Sequence, residues 1–238
     1  MYRQLSRRHF NSAGLSALAA LLLSTAAQVH ALSLADLTDK EANLGLKAAL
    51  EKAAVAAVGL LGQTDGFLGN EKVRIPLPGY LDDAAKWLKK LGQGKRVDEL
   101  ITSMNRAAEA AVPLAKDALV GAVKSMNFAD AKNILSGGDN AMTTFFADKT
   151  RAPLFTKFLP VVTQATDKVG AAAQYNQLAG KAASLGLIKK EDASIQDYIT
   201  QKTLDGLYTM IGEQEKSIRQ DPVGTGSAML KKVFGATF

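Results

Sequence analysis

Residues 40–62 read KEANLGLKAALEKAAVAAVGLLG, with apolar side chains three and four positions apart, no proline, and alanine on several sides at once. That spacing belongs to an α-helix with a broad apolar face, and alanine lets a neighbouring helix approach closely. Such a helix must be covered by others, so it predicts a helix-on-helix core with this segment at its centre. Thr38-Asp39-Lys40-Glu41 has the order of a capping box at its start. The same periodicity runs along nearly the whole chain. The expected fold class is all-α: a single-domain multi-helix bundle.

One stretch breaks the pattern. In QTDGFLGNEKVRIPLPGY, residues 63–80, Thr64-Asp65-Gly66 reads as a turn, and Val73, Ile75 and Leu77 alternate as in a short strand. Pro76 and Pro78 remove amide donors and force extended backbone, so a short extended Pro-containing segment is expected near 71–79. A helix carrying Trp87 follows, closed by GQGK at 92–95. From Val97 a helical pattern runs to Met126, with Pro113 either kinking one helix or starting a second. Further helices are expected in NFADAKNILSGG, in DNAMTTFFADKT started by Asp139, and over 151–168, 170–185 and 194–219. Ser194 and Asp197 suggest a weaker cap for the last. QDPVGTGS reads as an exposed loop and AMLKKVFGATF as an apolar ending. No repeat period runs through the chain.

Residues 1–31 read as an export signal rather than as part of the fold. Arg3, Arg7 and Arg8 make a basic start, Ala13 to Ala27 an apolar stretch, and Val29-His30-Ala31 a small-residue end. The apolar stretch is shorter than the roughly 20 residues that span a bilayer. Ser6-Arg7-Arg8-His9-Phe10 resembles a twin-arginine signal, the alternative being an ordinary secretory signal with paired arginines. Cleavage after Ala31 would leave residues 32–238 as one helical domain in the periplasm.

Both histidines, His9 and His30, lie in that signal, and the chain has no cysteine. The mature chain therefore has no imidazole or thiolate with which to build a triad, a cysteine nucleophile, a zinc site or a haem ligand. Acid–base chemistry would fall to carboxylates, Lys or Tyr, and metal binding to hard oxygen ligands. The segment 65–71 has such oxygens but lacks calcium-loop spacing, and no cofactor is called for. Removing Arg3, Arg7 and Arg8 lowers the formal charge from +6 to +3, and no basic patch interleaved with aromatics is left to suggest nucleic acid.

Ser-Met-Asn occurs twice, at 103–105 and 125–127. Asn127 precedes Phe128-Ala129-Asp130, where its side chain can cap a new helix with Asp130 in the first turn. Asn105 lies mid-helix among small apolar residues, four before Glu109, so the two share a face. A buried pair there must find partners, either in a neighbouring element or in a ligand.

Asp65-Gly66-Phe67, Ile75-Pro76-Leu77-Pro78, Met104-Asn105 with Ala107-Ala108-Glu109, Asp130-Ala131 with Ile134-Leu135 and Gly137, Leu204-Asp205-Gly206-Leu207, and Glu213, Glu215, Ile218-Arg219 and Pro222 follow in order along the chain. With Leu230-Lys231-Lys232-Val233-Phe234-Gly235 at the end, this succession resembles the bacterial family catalogued as domain of unknown function 4197. The resemblance implies an exported, mainly helical protein and carries no catalytic residue with it. The lipidation cysteine of lipoprotein-type members is missing here.

Three functions fit these residues. The leading expectation is non-enzymatic binding of a small apolar or amphipathic ligand in an inter-helix groove, with Asn105, Glu109, Asp130 and Arg219 as candidate contacts. The second is an envelope scaffold or interaction module using Tyr80, Trp87 and the Pro-rich segment. The third is an acid–base enzyme pairing two of Glu109, Asp130, Glu213 and Glu215. Glu215 and Arg219, four apart, read as a surface salt bridge, and Ser136-Gly137-Gly138-Asp139 as helix punctuation rather than an anion cradle.

Overall fold

A computed structural model describes residues 39–81, 85–86, 89–92, 94–167, 170, 172–173, 175–176, 184 and 194–221. The export segment, Thr38, Trp87, most of the expected 170–185 helix and the C-terminal ending lie outside the described residues. Among those described, six α-helices and no strand are present: α1 (Asp39–Leu61), α2 (Gly94–Ala111), α3 (Ala115–Lys124), α4 (Phe128–Ser136), α5 (Ala141–Thr166) and α6 (Ile195–Gln220). The all-α expectation holds.

The longest helices, α5 and α6, pack most extensively on each other, α2 lies against α5, and α1 covers α3 and α6. Segment 40–62 is therefore a wall of the bundle rather than its centre. It buries Leu46, Ala49, Leu50, Ala53, Ala54, Ala57 and Leu61 on one side and leaves Leu44, Val55 and Leu60 exposed on the other.

Proline acts in two ways. Pro113 opens a single 3₁₀ turn, Val112–Leu114, between α2 and α3, where its missing amide costs little. Pro153 and Pro160 instead lie inside α5, so the two helices expected at 139–150 and 151–168 are one. The physical reason is a row of buried side chains at every fourth position: Met142, Phe146, Thr150, Leu154, Phe158, Val162 and Thr166. This ridge packs along its whole length, while both prolines stand on the solvent side. Burial overrides the loss of two helical hydrogen bonds.

Residues 74–78 have neither helical nor ladder pairing, and they bury Ile75 and Leu77 while exposing Arg74 and Pro76. Alternation survives without a sheet. The predicted segment 71–79 starts later than expected, because 70–74 turns on Asn70, whose carbonyl accepts from the amides of Val73 and Arg74.

Candidate functional site

The candidate residues sort into four separate polar knots, and backbone groups are the main partners in each. The Asn105 side chain is fully buried. Its Oδ1 accepts from the Ile75 amide at 2.8 Å, and its Nδ2 donates to the carbonyls of Ile75 at 2.9 Å and Ile101 at 2.8 Å. One side chain thus does for Ile75 what a neighbouring strand would do in a sheet. The partner is an extended segment rather than a ligand atom.

One turn along α2, Glu109 Oε1 accepts from the amides of Phe67 and Leu68, each at 3.1 Å. Its Oε2 accepts from Arg106 at 2.6 Å, and Arg106 donates also to Asp65 at 2.8 Å. Hydrogen bonds to Glu109, and then to Asp65, raise the Arg106 pKa above its ordinary value. Asp65 stands at a left-handed φ of 65°. Gly66 follows because a Cβ there would lie 2.5 Å from the Leu61 carbonyl oxygen. The Asp-Gly-Phe turn delivers the Phe67 ring, fully buried, onto Gly206 of α6, where an added Cβ would meet Phe67 Cε1 at 2.6 Å. Two motifs 139 positions apart are halves of one contact.

The third knot corrects the reading of Glu215 and Arg219 as a surface bridge. Glu215 is fully buried and the Arg219 side chain is 12% exposed. The carboxylate accepts from the amides of Met142 and Thr143, each at 3.0 Å, and from the Thr143 hydroxyl at 2.9 Å. It caps the N-terminus of α5, whose own N-cap residue, Asn140, makes no side-chain cap. Arg219 binds the same carboxylate and donates to the Ile134 carbonyl at 3.1 Å, near the end of α4. A helix N-terminus and a helix C-terminus are thereby fastened to α6 by one ion pair.

Asp130 completes the expected capping box of α4: its amide donates to Asn127 Oδ1 at 2.8 Å and its carboxylate accepts from the Asn127 amide at 3.2 Å. Lys149 lies 3.9 Å away. The two Ser-Met-Asn phrases therefore do different jobs, one a cap and one a cross-link. Gly137 ends α4, as the punctuation reading expects. The α5 amides that an anion might have used are held by Glu215.

None of Asn105, Glu109, Asp130 and Arg219 borders either of two surface cavities beside α6. Those cavities are open and bordered by charged side chains. One, of about 490 Å³, lies between the start of α5 and the outward side of α6, bordered by Asp139, Arg151, Tyr208, Glu213 and Lys216. A second, of about 390 Å³, lies between α6 and residues 72–79, bordered by Lys72, Arg74, Tyr198 and Lys202. Asp205 and Thr209 border both, so the two form one groove along α6. Arg151 pairs with Asp205 at 3.0 Å and lies 5.0 Å from the centre of the Tyr208 ring. Burial raises the Tyr208 pKa, with the Thr150 hydrogen bond and Arg151 opposing it. Sequence reasoning missed this groove. Its one legible signal was the spacing of Lys202, Asp205, Thr209 and Lys216 on a single polar side of α6. The side chains of Tyr80 and Trp87, which the scaffold reading used, lie outside the described residues.

A family model described as a protein of unknown function (DUF4197) matches residues 36–235. The chain belongs to this family. Segments far apart along the matched residues meet in space: Asp65-Gly66-Phe67 meets Gly206 and Glu109, and Ile75 meets Asn105. Comparison with curated proteins and with solved structures found no match. No described helix is long and apolar enough to cross a membrane, and no group of three or more His, Cys, Asp or Glu among the described residues is placed to hold a metal ion.

Proposed function

We propose that the protein is exported and acts by non-covalent binding, with the groove along α6 as its binding surface. The observation that carries this reading is that the two concavities adjoin at Asp205 and Thr209, which border both. The buried carboxylates argue against acid–base work of their own. Glu109 and Glu215 each hold two backbone amides and an arginine, which is the chemistry of a structural fastener. Charged side chains border the groove at both ends, which favours a charged partner over a wholly apolar ligand held between helices. Export rests on the basic, apolar and small-residue succession in residues 1–31.

Photo-crosslinking in the native host tests the binding surface. A benzophenone side chain at Thr209, exposed in the groove, is expected to give a discrete adduct, and one at Thr102, exposed on α2, is expected to give none. Identical patterns at the two positions, or no adduct at Thr209, would sink the assignment. Export is tested separately by N-terminal sequencing of protein from the periplasmic fraction, which should begin at Leu32.

A further inference from the structure

The geometry points to the Arg74–Lys202 end of the groove as a receptor for acidic side chains on an extended polypeptide partner. This rests on the binding reading above and names the partner's chemistry. Three cations border this end, Lys72, Arg74 and Lys202, against one carboxylate, Asp205. Lys72 is taken by Glu213, and Arg151 takes Asp205 at 3.0 Å. Lys202 is then left 3.8 Å from a carboxylate that already has a partner. The guanidinium of Arg74 is exposed and makes no hydrogen bond or ion pair among the described residues. Two positive charges are in surplus at one place.

That surplus stands on a fixed wall. The Arg74 amide donates to the Asn70 carbonyl at 2.8 Å, the next residue is clamped by Asn105, and the Tyr198 hydroxyl donates to the Pro76 carbonyl at 3.1 Å. The Lys202 ammonium lies 5.9 Å from the centre of the Tyr198 ring. Little backbone has to be ordered when an anion arrives, which lowers the entropic cost of binding. The groove also continues well beyond the reach of a single ion. From Tyr198 to Lys216, α6 rises about 27 Å, the length of about eight residues of extended chain. Its far end carries Asp139 and Glu213, so the charge along the floor changes from basic to mixed, and a partner with acids at one end only would fit one way round.

The test uses the mature protein and a fluorescein-labelled peptide of about eight residues, glutamate in one half and serine and glycine in the other, followed by fluorescence anisotropy. Binding is expected to saturate, and to weaken between about 50 and about 200 mM salt. Arg74→Glu with Lys202→Glu should weaken it about tenfold or more, and Lys95→Glu with Lys116→Glu, on other faces, less than about twofold. Circular dichroism confirms that both double variants fold. No saturable binding, or equal losses in the two variants, overturns the proposal. Sedimentation with phosphatidylglycerol vesicles is the second arm. Vesicle binding lost in the Arg74→Glu/Lys202→Glu variant, without peptide binding, overturns it in favour of a lipid surface. A failed peptide with an intact Thr209 adduct removes only the acidic partner, whereas loss of the adduct removes the groove itself.

Discussion

Replacing Asn105 by leucine should unfasten the extended segment while keeping the number and branching of the side-chain heavy atoms. Asn105 holds both backbone groups of Ile75, which is 1% exposed, and adds a second bond to the Ile101 carbonyl. The Ile101 carbonyl keeps its helical partner, so the cost falls on Ile75. A buried donor or acceptor left without a partner costs about 1–3 kcal/mol, giving about 2–6 kcal/mol for the pair. The added apolar burial of leucine returns about 1–2 kcal/mol. The difference of the two midpoints gives a net destabilisation of about 2.5 kcal/mol. Urea unfolding followed by circular dichroism would read this as a midpoint lower by about 1 M or more, using the usual slope for a chain of this size. Amide exchange should show lost protection at Ile75, with Phe67, held independently by Glu109, little changed. A loss below about 0.5 kcal/mol, with Ile75 still protected, would refute the reasoning. It would also return Asn105 to the role of a ligand contact.

Gly206→Ala should destabilise by about 1–3 kcal/mol through overpacking against Phe67, and Phe67→Leu in the same chain should recover part of that loss in thermal denaturation. Glu215→Ala should cost about 3–5 kcal/mol, because it strands Arg219 and uncaps α5, with Glu215→Gln milder since one acceptor oxygen survives; equal losses in the two would mean that the surviving acceptor contributes nothing without the charge. Glu213 is held below its ordinary carboxyl pKa by its hydrogen bond to Lys72 and by the attraction of that charge. A depressed folded-state pKa contributes stability that is present above the unfolded value and lost as pH falls through the folded one. Carboxyl NMR titration should therefore place Glu213 below about 4.5, and Lys72→Met should move it back up.

What could be read from the sequence was local. Asn127 as a cap and Ser194 as a cap depend on residues within one turn, and each stands as expected, while Pro113, read as a kink or a start, lies in the 3₁₀ turn between α2 and α3. The alternation of Val73, Ile75 and Leu77 was legible for the same reason. Asn105 was identified as buried and in need of partners, yet its partner lies 30 residues upstream in a segment with no ladder of its own. Spacing on a helix could not show that. Glu215 and Arg219 looked like any pair four apart on a helix surface, and what buries them is the meeting of α4, α5 and α6. The continuity of α5 was missed at 150/151, where no local signal joins the two segments, whereas the packed row that runs through both is visible only against its neighbours.

The borrowed cap on α5 sets an order of events. Met142 and Thr143 take their cap from Glu215, more than 70 positions later in the chain. While the chain emerges from the ribosome, α5 is made first and lacks the group that completes its beginning. The same late residues anchor the end of α4 through Arg219. Contacts this distant in sequence slow folding, because a long loop must close before they form. A chain cut short before residue 215 would leave α5 uncapped and the end of α4 without its anchor. Full-length synthesis is thus a condition for the final structure, and an incomplete copy keeps the exposed amides that proteases and chaperones meet first.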